Sequence, residues 1–481
     1  MSAGGINRGA ERRALWGEHS SASRTASAAS AAVAQSIGAK LFIIAMNAAT
    51  GILSARALQP AGRGELAAMI LWPVFLASAL TFGLPSALTF QLRSNPEKSS
   101  RLMGAGLLLA FLTGTIGAII GAAFVGVWIP QYSPRIILFA RLFILNTPLT
   151  ALPLVGRAAL ESRGNFTASN KLLAVPPAVT LLCLLLLWRT GTLTPISAGF
   201  AYIVAGIPSV LWMVNRLWKE FRPSLGSFLD SARLLLAYGI RAYGIDLCGT
   251  MSLYVDQALV VRMLEPKLMG TYVVALSLSR MLNAFHASVV MVLFPMAVSQ
   301  APQAVREMTG RAVRTSTLFT VIAGVLICFF GPYLLAVLYG REYAGAASVL
   351  RILVVEVVLA GATLVLSQAF MALGRPGVIT TLQVVGLLLT LPLMFVLVPR
   401  FGIVGAALAL LLSTIVRLLF VLASYPLFLK MRMPDVFPKA GDLRGLVTGV
   451  SRLFRLSPNK QGMAVEVAEV SPLQPRAGGL E

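Results

Sequence analysis

Residues 56–64 read Arg-Ala-Leu-Gln-Pro-Ala-Gly-Arg-Gly, and residues 262–270 read Arg-Met-Leu-Glu-Pro-Lys-Leu-Met-Gly. Both follow a long apolar run, both keep Arg, Leu and Pro in step, and both set a glycine four residues after the proline. Three further correspondences follow at a similar offset: Pro85 with Pro295, Arg141 with Arg351, and the turn Gly164-Asn165 with Gly374-Arg375. Their common order marks an internal repeat, so the chain is built from two similar halves.

Each half is a membrane bundle. The 481 residues are 57% hydrophobic and 12% charged, with a mean hydropathy of +0.81. A soluble domain carries about 25% charged residues, so lipid is the solvent for most of this surface. Apolar runs near or above the ~20 residues that cross a bilayer predict helices at 33–56, 67–92, 102–128, 134–159, 167–188, 193–216, 232–262, 268–298, 315–339, 346–371, 377–398 and 402–428. Pro- and Gly-rich separators bound them, as at Pro96-Glu97-Lys98 and Arg375-Pro376-Gly377. The expected fold class is all-α integral membrane, with about twelve transmembrane helices in two six-helix bundles related by a pseudo-twofold axis along the membrane normal.

The expected organisation is a disordered cytoplasmic tail over 1–32, a first bundle over 33–216, a cytoplasmic linker over 217–231, a second bundle over 232–428 and a cytoplasmic tail over 429–481. Within that tail, 442–455 repeats apolar residues at helical spacing between arginines, the pattern of an amphipathic helix lying on anionic lipid. Basic residues favour the loops after even-numbered helices and both tails, which puts both termini in the cytoplasm. The net charge of +22 then comes from inner loops, tails and intramembrane arginines, and no nucleic-acid partner is called for. Cys183, Cys248 and Cys328 lie in apolar runs and imply no disulfide framework. No separator is long enough for a folded enzyme module, and no zinc spacing, Walker loop or nucleophile elbow appears, so no catalytic residue, cofactor or metal is expected.

Several segments resemble the polysaccharide flippases of the multidrug/oligosaccharidyl-lipid/polysaccharide exporter superfamily. They are SARALQPAGRGELA at 54–67 leading to Gly83-Leu84-Pro85, LLLAYGIRAYG at 234–244, GTYVVALSLSRML at 270–282, LYGREYAGAASVLRIL at 338–353, and ALGRPG at 372–377 with PRFGIVGAALA at 399–409. The resemblance implies transfer of a polyprenyl-diphosphate-linked oligosaccharide from the inner to the outer leaflet of a bacterial cytoplasmic membrane, for exopolysaccharide, O-antigen or capsule assembly. It also implies a monomer working among membrane lipids beside a polysaccharide polymerase complex.

Ionisable groups deep in a bilayer are costly unless they face a partner or a cavity. The acidic residues inside the predicted helices are Asp246, Asp256 and Glu356. The basic residues away from helix ends are Lys40, Arg141, Arg241, Arg280, Arg351 and Arg417. A cavity richer in arginine than in carboxylate suits an anion, and guanidinium holds phosphate oxygens bidentately. Arg241 and Arg280 are the first candidates to contact the diphosphate, followed by Arg141 and Arg417. The alternative for Arg280 is an ion pair with Asp246 or Asp256. Asp256, Asp246 and Glu356 either pair with arginines or bind a coupling proton or cation. Lys40 and Arg351 are expected to snorkel. His286 reads as a packing histidine or a proton relay, and Gly239, Gly244 and Gly249 as a hinge or as points of close packing. Pro148 and Pro153 are expected to kink the fourth helix.

Other functions predict other residues. A multidrug antiporter of the same superfamily should carry more intramembrane carboxylates for cations. A major-facilitator transporter should carry a Gly/Asp/Arg-rich loop after its second helix, where this chain has Arg93-Ser94-Asn95-Pro96-Glu97-Lys98. A lipid II flippase resembles the same fold with two further helices.

Overall fold

The structure, a computed structural model, describes residues 7–298 and 300–436, with side chains from Gly38 onward apart from that of Ile245. Its α-helices are α1 (Asn7–Ala79), α2 (Leu84–Ser94), α3 (Ser99–Trp128), α4 (Pro134–Ile144), α5 (Thr147–Ser162), α6 (Phe166–Arg189), α7 (Pro195–Phe221), α8 (Phe228–Met263), α9 (Pro266–Arg280), α10 (Asn283–Ala297), α11 (Pro302–Leu338), α12 (Ala347–Ala372) and α13 (Pro376–Ser424).

Among the described residues, nine helical stretches are long and apolar enough to cross a bilayer. Two of them are double. α1 turns at Gln59 (φ 62°, ψ 171°), because Pro60 disfavours helical backbone in the residue before it. α13 turns at Gly402 (φ 56°, ψ −134°), three residues after Pro399. α8, whose charges dilute its hydropathy, adds a further pass of 36 residues. Among the described residues the passes number twelve, six in each half, in an all-α membrane fold.

Three passes differ from the single helices expected. The second breaks between α1 and α2, the fourth between α4 and α5, and the eighth between α9 and α10. Pro148 stands in the first turn of α5, where its missing N–H needs no partner, and it starts that helix instead of kinking a continuous one. The linker expected over 217–231 shortens, since α7 continues to Phe221 and α8 begins at Phe228. α1 is helical from Asn7, where disorder is expected over 1–32; the alanines of that stretch favour helix. The amphipathic helix expected over 442–455 lies outside the described residues.

The repeat is visible in hydrogen bonds. α5 and α12 end alike, with Gly164 at φ 73° and Gly374 at φ 72°. The Asn165 N–H donates to Leu160 O (2.9 Å) as the Arg375 N–H donates to Phe370 O (2.8 Å). Each is a six-to-one helix cap that requires left-handed backbone at the glycine.

Lipid tails are as apolar as leucine, so close packing and hydrogen bonds, more than transfer from water, hold the helices together. One buried core spans both halves. It joins Met69 and Trp72 of α1 and Phe143 of α4 to Val260 of α8, Tyr272 of α9 and Leu350 of α12. Away from Pro60 the halves have separate cores. One gathers Leu88, Leu102, Leu160 and Met213 with Leu235 of α8, and the other gathers Leu293, Val313, Phe370 and Tyr425. α9 packs on α1, while α10, beyond the break, packs on α11 and α12. The halves are therefore joined at the Pro60 end and part toward the Gly164 end, where α8 stays with α2 and α3.

Candidate functional site

The two stretches that define the repeat meet each other. A side chain at Gly64 would overlap Pro266 O, and one at Gly270 would overlap Pro60 O, so each glycine admits the other half's backbone. The repeated arginines act across the seam in the same reciprocal way. Arg56 of α1 donates through Nε to Leu338 O (2.9 Å) and through Nη2 to Val337 O, the last carbonyls of α11. Arg262 of α8 donates through Nη1 to Val127 O (2.8 Å), near the end of α3. Carbonyls at a helix C-terminus lack intrahelical donors and carry partial negative charge, which suits a cation. Trp128 Nε1 donates to Ala258 O (3.1 Å), Gln131 to Leu264 O (3.1 Å), and the Tyr343 hydroxyl to Ala55 O (3.2 Å). In the sequence Arg56 and Arg262 stand at the ends of the predicted helices 33–56 and 232–262, and Arg63 falls between 33–56 and 67–92; the signal for Arg56 and Arg262 is their repeated position.

Four of the charged residues singled out in the sequence come together in the second half. The break after α9 leaves Arg280 at a helix C-terminus in mid-pass, favourable for a cation. Its Nη2 lies 3.3 Å from Asp256 Oδ2, and its Nη1 donates to Leu253 O at 3.4 Å. Asp256 is fully buried, and the Arg280 side chain is 31% exposed. The Tyr272 hydroxyl donates to the same Asp256 oxygen at 2.9 Å. Beside this pair, Thr414 donates to Glu356 Oε1 (2.8 Å) and accepts from Arg417 Nη2 (2.7 Å), with Arg417 and Glu356 4.0 Å apart. Glu356 also lies in the field of Arg280 and Asp256. The cluster holds two carboxylates and two guanidinia, with a hydroxyl attached to each carboxylate.

The other candidates stand apart from it. Asp246 accepts from Ser86 Oγ (3.2 Å), and Gly239 abuts Gly83 backbone to backbone, so this face of α8 is fastened to the first half. Gly239 serves close packing, and α8 has no break there. Arg241 is exposed, two residues from Gly239 and hence on roughly the opposite side of α8. Arg141 is exposed and crosses Gly126 of α3. Neither Arg141 nor Arg241 has a hydrogen bond or ion pair among the described residues. Arg351 does not snorkel freely: its Nε donates to Cys328 O (3.2 Å). Lys40 Nζ sits 3.5 Å from Met291 Sδ, and the buried His286 ring meets Thr320 Oγ1 at 3.4 Å.

Among the described residues, twelve passes in two repeated bundles, joined at one end and parted at the other, define a multi-pass all-α membrane fold. Solved structures share it. The lipid II flippase MurJ in an inward closed conformation superposes with a TM-score of 0.70 at 16% identity, over 88% of this chain and 93% of that one. A multidrug resistance MATE family transporter of the MOP superfamily, in its inward-facing conformation, gives a TM-score of 0.64 at 14% identity, over 86% of this chain and 96% of that one. Within that class the chain belongs to the polysaccharide biosynthesis protein family, whose pattern matches residues 53–348. A curated relative, the probable low-salt glycan biosynthesis flippase Agl15 of Haloferax volcanii, is 25% identical over 239 residues. That match covers 47% of this chain and spans half the length of the relative.

Proposed function

We propose that the protein is a flippase that carries a polyprenyl-diphosphate-linked oligosaccharide across a bacterial cytoplasmic membrane by alternating access between its two halves, with both termini in the cytoplasm. Membership of the polysaccharide biosynthesis family is the observation that carries this reading. The charges support it. Each carboxylate expected at depth has a partner, Asp256 and Glu356 an arginine and Asp246 a serine, while Arg241 and Arg141 are exposed without one. The surplus is cationic and suits a diphosphate, which guanidinium binds through paired charge-assisted bonds.

In this reading Arg241 and Arg141 make the first contacts with the diphosphate, and the half-buried Arg280 joins them as Asp256 releases it. Arg417, held by Thr414, stands behind. Asp256, stripped of its counter-ion, takes up a proton, and Glu356 and Asp246 are the further candidates for ion coupling. The prenyl chain stays in the surrounding lipid, and a polymerase complex receives the glycan from a monomeric carrier.

The test is transport. Full-length protein in liposomes is given a fluorescent polyprenyl-diphosphate oligosaccharide and an impermeant quencher. Wild-type protein should exchange the lipid between leaflets, and Arg241→Ala/Arg141→Ala should slow it strongly at unchanged protein level. Wild-type protein that exchanges no more lipid than empty liposomes would refute the reading. A preference for a cationic drug over the lipid diphosphate would refute it in favour of an antiporter.

A further inference from the structure

Arg63 lies at the Pro60 end, on the first half, and is 7% exposed. Among the described residues, its Nε and Nη1 are buried with no hydrogen-bond partner. From the second half, Tyr339 and Tyr343 stand within its electrostatic reach. Among the described residues, no acid forms an ion pair with this guanidinium: Glu65 acts on Tyr132 and Glu342 on Tyr343.

A buried cation with no counter-ion is among the most costly groups a fold can retain. The nearby groups nevertheless make a coherent donor set. Guanidinium offers a planar fork of N–H groups and the Tyr339 phenol an O–H group, which together suit a tetrahedral oxyanion, while the Tyr343 hydroxyl is already given to Ala55 O (3.2 Å) and ties the same place to the first half. Their placement is as informative as their chemistry. Arg63 belongs to one half and the tyrosines to the other, beside the Gly64–Gly270 crossing and the Arg56 and Arg262 clasps that hold the seam shut.

We propose that Arg63 and Tyr339 form a phosphate-binding station in the seam between the halves, closed while the Pro60 end is joined and taken by the diphosphate of the lipid-linked substrate as the halves part there. The identity of the ligand rests on the flippase reading; the oxyanion chemistry does not. The unpaired charge raises the energy of the joined seam. An anion that satisfies it in the open seam shifts the population toward opening.

The test uses full-length protein in neutral-lipid nanodiscs, with inorganic pyrophosphate and a polyprenyl diphosphate as probes. Wild-type protein should melt higher with either probe. Arg63→Gln should melt higher than wild type without ligand, because the buried charge is gone, and should lose most of the probe-dependent rise. It should also flip the lipid about tenfold more slowly or worse, the factor expected for one hydrogen bond to a charged group. Arg63→Lys, which keeps the charge but not the fork, should retain part of the response. A full probe response in Arg63→Gln would overturn the station, and so would wild-type flipping by that variant. A variant that melts lower without ligand would make Arg63 a structural cation and also overturn it. A rise with pyrophosphate but none with the polyprenyl diphosphate would overturn the lipid-borne ligand. An Arg63-dependent pyrophosphate response in protein that flips no lipid would support the station while refuting the flippase reading.

Discussion

In the second half, Asp256 and Glu356 each lie against an arginine. Among the described residues of the first half, Arg63 is buried, with two nitrogens that have no partner. The same two halves share the glycine caps at Gly164 and Gly374 and the reciprocal clasps of Arg56 and Arg262. A common scaffold thus carries two electrostatic solutions. The second half pairs the carboxylates of Asp256 and Glu356 with arginines, which ties α8 to α9 and α12 to α13. In the first half Arg63, and on α8 the exposed Arg241, carry charge with no partner among the described residues. The difference separates residues that hold the fold from residues whose charge is left unpaired.

The largest expected effect breaks the paired side. Arg280→Ala leaves Asp256 buried without its counter-ion and should cost about 3 kcal/mol, at the low end for a broken buried pair because Arg280 is partly exposed. Adding Asp256→Asn should recover most of that loss in thermal melts of the purified protein. If the double variant melts no higher than Arg280→Ala, the pair does not act as a unit. Next is the crossing of the two repeats. Gly64→Ala drives a methyl group into Pro266 O and should cost about 1–3 kcal/mol by overpacking. Gly270→Ala should match it, and unequal losses would show that the seam is not reciprocal. Smaller still, Gly164→Ala and Gly374→Ala should each cost about 1 kcal/mol, since both positions need left-handed backbone. Equal melting shifts would sharpen the repeat; a neutral result at either would break it. The smallest stability change should come from Arg241→Ala, near zero, because the side chain is exposed and unpartnered.

The sequence carries the bundles more clearly than the site. Twelve passes are legible because each needs its own apolar run, and the repeat is legible because turns such as Gly164-Asn165 and Gly374-Arg375 require particular residues. The kinks are harder to read. Pro60 and Pro399 announce turns, but nothing local announces the break after Arg280, which places that cation at a helix end. The pairing of Arg280 with Asp256 was one of two alternatives open from the sequence. Choosing between them needs the distance across α8 and α9, which spacing along the chain does not give. Arg63 falls between the predicted helices 33–56 and 67–92, where nothing in the chain's own spacing marks it for burial.

The central claim is that unpartnered arginine in this protein meets a lipid-borne diphosphate, and transport by Arg241→Ala in liposomes tests it most directly. The account predicts leaflet exchange of a fluorescent polyprenyl-diphosphate oligosaccharide slowed about tenfold, at a melting temperature equal to wild type. Exchange at the wild-type rate by a stably folded Arg241→Ala would contradict it.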